Sequence, residues 1–309
     1  MSHQILTFIL DARDAQVTIP HRQRQLLAGL LLALSGFSVA AMMATFKLSQ
    51  ETLSLPQTIF LRTFSGILLT LPLFALVPVG LMPEGRLGLY ATRIALAIAA
   101  LTCWLYSIAH MPLALASALS FSKSIFMLWL AAAFMSEKIT GRKLFATVLG
   151  FVGVVLALDP QGAVGVPILA AAAGLVGAFL GGMMTVVVKQ LSSTEPTLRM
   201  MLYPHLGVSA VFLIPAIQTW QPIDLGTLWL IVGMAVFGSI SQWCFVTSYR
   251  LGDISALAPV EYTRLVAAAL FGYAIFSEVP TLMMTLGMVL VCLSAYAAIS
   301  PRTTESTST

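Results

Sequence analysis

Ten stretches of roughly twenty residues, almost free of charge, leave this chain few ways to fold. A hydrocarbon layer ~30 Å thick is crossed by about 20 apolar residues in an α-helix. Only helices and closed barrels satisfy their own backbone hydrogen bonds there. The stretches are Leu26–Phe46, Gln57–Val77, Leu89–Ala109, Leu113–Met135 and a short fifth, Leu144–Leu158, stopped by Asp159-Pro160. The second set is Ile168–Val188, Leu198–Ile217, Leu228–Tyr249, Ser255–Phe276 and Leu282–Ile299. Little of the 309 residues remains for a soluble domain. Hydrophobic residues make up 59% and charged residues 9%, with a mean hydropathy of +0.94. A soluble globule cannot hide so much apolar surface. Soluble enzymes, secreted modules and nucleic-acid binders are therefore excluded as readings.

The net charge of +4 is explained by where the basic residues stand, because cytoplasmic connections keep Lys and Arg. With the N-terminus inside, twelve fall on the inner side. They are Arg13, Arg22 and Arg24 in the tail, Arg86 and Arg93 between spans two and three, and Lys138, Arg142 and Lys143 after span four. Lys189 and Arg199 follow span six, Arg250 follows span eight, and Arg302 closes the chain. Lys47 alone lies outside, so both termini are expected in the cytoplasm. Residues 1–25 read as a cytoplasmic tail, since the run ILTFIL is too short for a signal-peptide core. Residues 300–309 read as a disordered polar tail. Cys103, Cys244 and Cys292 sit inside apolar runs, as packing residues do, and imply no disulfide framework.

Shifting the chain by 141 residues aligns its two halves, and the repeats are read as residues 26–160 and 166–299. Met42-Met43 then meet Met183-Met184, Gly66 meets Gly207, Cys103 meets Cys244, and Ser136-Glu137 meet Ser277-Glu278. Each copy has five spans, an odd number, so the second enters the membrane from the opposite side. The expected architecture is an all-α membrane protein of ten transmembrane helices in two inverted five-helix repeats. Such repeats characterise secondary transporters, with substrate held near the midplane between the halves.

Four charges are read as lying within spans: Arg62, Lys123, Glu261 and Arg264. A charge at the bilayer centre costs on the order of 2.5–3.5 kcal/mol on insertion scales, so such residues face polar cavities and serve function. Lys123 and Arg264 are equivalent under the 141-residue shift and are expected to approach one centre from two sides. Glu261, three residues before Arg264, can share its helix face, as its partner or as the proton-coupling group. Arg62 lies about 8–9 Å into span two, where it either faces the cavity or snorkels outward. Trp104, Gln242, Trp243 and Tyr262 complete the expected substrate-binding set, aromatic rings with a few polar groups. Tyr106 and Tyr249 read as interface anchors, and His205 as a satisfied packing residue. Gly177, Gly181, Gly182, Gly150 and Gly153 are read as packing positions, and Pro259 as a bend in span nine. No metal-ligand spacing, nucleotide loop or Ser/His/Asp set appears, so no cofactor is expected.

The segments YSIAHMPLALASALSFSKSIFMLWLAAAFMSEKIT and SYRLGDISALAPVEYTRLVAAALFGYAIFSEVP closely resemble the EamA family of the drug/metabolite transporter superfamily. The resemblance rests on Pro112-Leu113-Ala114, on Glu137 and Glu278, and on Ala258-Pro259 followed by Glu261-Tyr262. It implies ten spans, a central cavity, and movement of small metabolites through the bacterial inner membrane. The Ala-Pro-x-Glu-Tyr-Thr form is similar to that of relatives that include S-adenosylmethionine and riboflavin carriers. Family members often carry Thr-x-Pro in span four, where this chain has Ser122-Lys123-Ser124.

The sequence thus points to a carrier that moves a small metabolite with an anionic group by alternating access. Its partners are that solute and the bilayer, with no nucleic acid, and a homodimer is allowed. The alternatives are a proton-coupled exporter of neutral or cationic drugs, an intramembrane enzyme such as an acyl transferase, and a channel. An enzyme would need a nucleophile–base pair or metal cluster, and a channel a continuous polar stripe; neither is visible in the spans.

Overall fold

A computed structural model describes residues 20–76, 79–82, 85–110, 116, 119–158, 167–277 and 281–299. The tail before residue 20, Asp159-Pro160, Pro112-Leu113-Ala114, Glu278 and residues 300–309, all read above from the sequence, lie outside these. Among the described residues there is no strand, and helix occupies each of the ten stretches. The helices are α1 (His21–Ser49), α2 (Leu55–Thr70), α3 (Leu87–His110), α4 (Lys123–Met135) and α5 (Gly141–Leu158). The second set is α6 (Ile168–Ser192), α7 (Thr197–Gln218), α8 (Leu225–Leu251), α9 (Thr263–Phe276) and α10 (Leu282–Ile299). Seven helical segments are long and apolar enough to cross a membrane, and Leu119–Met135 and Leu282–Ala298 are shorter apolar helices. Large apolar side chains such as Leu30, Trp129, Ile168 and Leu282 point outward, as in a protein bathed in lipid. The chain is a multi-pass membrane protein.

Local chemistry sets the helix ends. The Ser54 hydroxyl accepts from the Gln57 N–H and Pro56 sits in the first turn of α2, a pre-organised start. Asp224 caps α8 by accepting from the Thr227 N–H at 3.0 Å. Helices α4 and α9 both end on a serine in the left-handed region, Ser136 (φ 53°) and Ser277 (φ 55°). Among the described residues these are the only non-glycine positions with positive φ. They are related by the 141-residue shift, so the copies share a backbone feature that ordinary side chains avoid.

The packing exchanges roles between the copies. The pairing of α1 with α8 is matched by α3 with α6, and α1 with α9 by α4 with α6. Helices α2 and α7 pack on each other, as do α5 and α10. Two units related by a twofold axis pair in this way. At the α5–α10 crossing, a Cβ on Gly153 would stand 2.7 Å from the Gly287 carbonyl oxygen, so the backbones meet with no side chain between. The exchange is incomplete. Helix α6 packs on α8, with no comparable contact between their counterparts α1 and α3.

That extra contact lies at the end of the bundle bearing Lys189 and Arg250. The Lys189 ammonium donates to the Gly252 carbonyl at the end of α8 (2.6 Å). Arg250 donates to the Ser192 carbonyl at the end of α6 (2.8 Å) and to the Glu195 carbonyl (2.6 Å). Each helix supplies the cation that caps the other's orphan carbonyls, where the helix dipole favours positive charge. Nearby, Glu137 accepts from the N–H groups of Ile254 and Ser255, both at 2.9 Å.

The arrangement corrects the charge reading. Arg93 belongs to α3 rather than to a connection, and it is 2% exposed. Pro204 in α7 has no N–H to offer the Met200 carbonyl, and Arg93 supplies a donor at 2.7 Å. Arg199 and Arg250 are likewise buried helix residues, so the four charges named above are not the whole intrahelical set.

Candidate functional site

The stretch read as a single ninth span is broken. It begins as one helical turn, Ile254–Leu257, tightens to a 3-10 stretch, Ala258–Tyr262, and only then enters α9. Pro259 sits at the tightening, where it cannot donate to a helical ladder. The break brings Glu261 against the start of α4. Its Oε2 accepts from the Lys123 ammonium at 3.2 Å and its Oε1 from the Tyr249 hydroxyl at 2.7 Å. The pair is largely sequestered, with side-chain exposures of 17% and 10%. Lys123 also lies 5.4 Å from the centre of the Phe245 ring.

Arg264, one turn further on, is differently placed. Its guanidinium lies over the Phe121 ring at 5.0 Å, and among the described residues it makes no hydrogen bond or ion pair. A cavity of about 470 Å³ opens beside it between the two repeats. Lys123, Arg264, Trp104 and Phe121 line it, together with Val39 and Met43 of α1. Gly174 and Gly177 form part of the α6 wall, so these small residues both pack and border the cavity. On α1 and α3 the lining residues fall in the C-terminal half, away from the Lys189–Arg250 end.

A second hollow of about 140 Å³ adjoins the first, sharing Val39 and Met43 with it. Arg62, His205, Ser239 and Gln242 supply its polar groups. Arg62 thus faces an internal hollow, one of the two placements its depth allowed.

The remaining expected residues sit further back. Tyr262 is fully buried, its ring 6.0 Å from Phe121 and packed where a Cβ on Gly150 would collide. It supports the cavity wall from behind. Trp243 is half-buried and is not among the residues lining either hollow. On α8 it stands about 100° around from Gln242, on the side away from Ser241, which lines the smaller hollow with Gln242.

Two readings are overturned. Tyr249 is no interface anchor; it is fully buried and holds Glu261. His205 is not satisfied, because its Nε2 is buried without a partner among the described residues. Phe121 was not anticipated, and nothing in its sequence setting marks it apart from other span phenylalanines. Among the described residues no His, Cys, Asp and Glu cluster could hold a metal.

Comparison with known proteins gives the family and the fold. The chain is 27% identical over 211 residues to a riboflavin transporter of Vibrio cholerae, covering 68% of this chain and 70% of that one. It is 28% identical over 221 residues to an S-adenosylmethionine uptake transporter of Rickettsia bellii, covering 72% and 75%. A pseudopaline exporter of Pseudomonas aeruginosa is 27% identical over 275 residues, covering 87% and 95%. A crystal structure of another protein superposes with a TM-score of 0.71 at 15% identity, covering 89% of this chain and 98% of that one, which speaks to the fold alone. Residues 26–158 and 168–300 each match the EamA-like transporter family, and the chain belongs to that family.

Proposed function

We propose that this protein is a secondary carrier, in a bacterial inner membrane, for a small organic solute bearing an anionic group. It crosses the bilayer ten times as two inverted five-helix repeats, 26–160 and 166–299, with both termini in the cytoplasm. The observation behind this reading is the unequal pairing of charge around the larger cavity. Lys123 is matched by Glu261, whereas Arg264 has no carboxylate within ion-pair distance among the described residues. The cavity therefore carries one uncompensated positive charge, and a cation in a low-dielectric hollow calls for a counter-ion. A carboxylate or phosphate on the solute meets that need, while Trp104 and Phe121 offer flat faces to its organic body.

Glu261 sets the position of Lys123 and is the proton-coupling candidate, since protonating it would release Lys123 and add a second uncompensated charge. The reciprocal caps between α6 and α8, absent between α1 and α3, are what one half-cycle of alternating access looks like. In the other half-cycle α1 would close on α3 instead, at positions where Leu48 and Ala109 replace the two cations. The names of the relatives, carriers of three different metabolites, support a small-molecule cargo and leave its identity to this chain's own residues.

Uptake into vesicles containing the purified protein tests the reading, with a panel of labelled solutes and with and without a pH gradient. Arg264→Gln is expected to abolish uptake of each active acidic solute, and Arg264→Lys to keep part of it. Unimpaired uptake in Arg264→Gln, or a panel in which only neutral and cationic solutes move, removes the anion site. Full gradient-driven uptake by Glu261→Gln removes the proton role.

A further inference from the structure

The smaller hollow holds polar groups that the protein itself leaves unmet. The one hydrogen bond of the Arg62 guanidinium runs to the Met42 sulfur at 3.6 Å, and a thioether is a weak acceptor. His205 Nε2 and Ser239 Oγ are buried with no partner among the described residues. Unpaired polar groups are costly in a lipid-embedded bundle, and here two such residues and the weakly bonded Arg62 all line one space of about 140 Å³. No acidic side chain lines it.

The imidazole is held there by design of the helix crossing. A Cβ on Gly66 would come within 2.8 Å of His205 Nε2, so only a glycine lets the ring lie this close to α2. The Arg62 guanidinium, on a hollow without carboxylates and backed by the Ser239 and His205 side chains just beneath its surface, makes a receptor for an oxyanion. Val39 and Met43 form its boundary with the larger cavity, and methionine is the side chain most able to yield at such a boundary.

We infer that the Arg62 hollow is a second anion subsite, and that the transported solute carries two acidic groups, one held at Arg264 and the other at Arg62. Dicarboxylates and their phosphate-bearing equivalents form the class. The inference rests on the reading of the larger cavity as an anion site and goes beyond it in requiring a second charge on the same solute. A free anion such as chloride would satisfy the same three groups, and the experiment separates the two sources.

The test uses the full chain purified in detergent, its unfolding temperature followed by tryptophan fluorescence. The probes are straight-chain α,ω-dicarboxylates of increasing length and monocarboxylates of the same lengths, at constant ionic strength with and without chloride. Wild type is expected to bind one range of dicarboxylate lengths more tightly than the matching monocarboxylates. Arg62→Gln should weaken the dicarboxylates by roughly tenfold or more, as loss of a charge-assisted hydrogen bond implies, and leave the monocarboxylates unchanged. Arg62→Lys should recover part of the difference. Gln242→Glu, which adds a fixed carboxylate to the hollow, should erase it with Arg62 in place.

Equal weakening of both series by Arg62→Gln would make Arg62 a packing residue and overturn the inference, as would dicarboxylate binding indifferent to Arg62. Chloride that tightens monocarboxylates to the dicarboxylate level would assign the hollow to a free ion instead. Monocarboxylate binding that survives Arg264→Gln overturns the larger site whatever Arg62 does. Failure of every acid to bind overturns both.

Discussion

Neutralising Glu261 should cost far more than the ion pair it forms is worth. At the 3.2 Å separation from Lys123, two unit charges attract by about 5 kcal/mol at an effective dielectric of ~20. Desolvating both groups offsets most of that, so the intact pair contributes little net stability. Removing one member leaves the other buried alone, a loss of about 3–5 kcal/mol. In Glu261→Gln the Tyr249 hydroxyl keeps an acceptor, so the expected loss is near the lower bound, about 3 kcal/mol. In Lys123→Met the carboxylate retains only Tyr249, and the loss should be at least as large.

The double variant has no lone charge to bury. It should recover roughly 2–3 kcal/mol of the summed single losses, the scale expected of directly touching residues. Denaturant titration of the four proteins in detergent, read by tryptophan fluorescence, measures this coupling. Transport supplies a second reading: the double variant keeps Arg264 as its one cavity charge and should carry acidic solutes better than Glu261→Gln does. Single losses that add to within about 0.5 kcal/mol would show that the contact carries no interaction energy, and the charge argument for the site would go with it.

Arg93→Met should destabilise the protein by about 1–3 kcal/mol, the cost of a buried carbonyl left unpaired at Met200. In a Pro204→Ala background, where the helix regains its own N–H, the same change should cost less; equal losses in both backgrounds would reject the explanation. Outside the spans, hydrogen bonds from the Thr227 side chain and N–H hold the Asp224 carboxyl below the usual carboxylate range. Its contribution is complete above the unfolded value and fades as pH falls through the lower folded one. Wild type should therefore lose stability relative to Asp224→Asn below about pH 4, and superimposable acid profiles would contradict this.

Among the described residues helix falls on each apolar stretch because lipid demands long apolar runs, and the 141-residue shift aligned Ser136 with Ser277, which share a left-handed end. It also aligned Lys123 with Arg264, which border one cavity, because duplicated positions around a twofold axis converge. The roles of Arg93, Arg250 and Tyr249 were hidden. A cation or phenol near a span end resembles an interface anchor, and only the fold reveals the carbonyl or carboxylate waiting for it. Pro259 signalled a bend, but the tightening to a 3-10 stretch that delivers Glu261 to Lys123 depends on helices far away in the chain. Trp243 lines neither hollow, although its neighbour Gln242 borders the smaller one.

The crossed caps of α6 and α8 have a kinetic meaning. Under the repeat relation, Lys189 and Arg250 correspond to Leu48 and Ala109, which have no charge to offer. In the proposed alternating-access cycle such a carrier rests unevenly, with one gate bolted by two cations and the other without that pair. Leaving the bolted posture would then be the slow stroke, and the unbolted gate would set how briefly the opposite posture lasts.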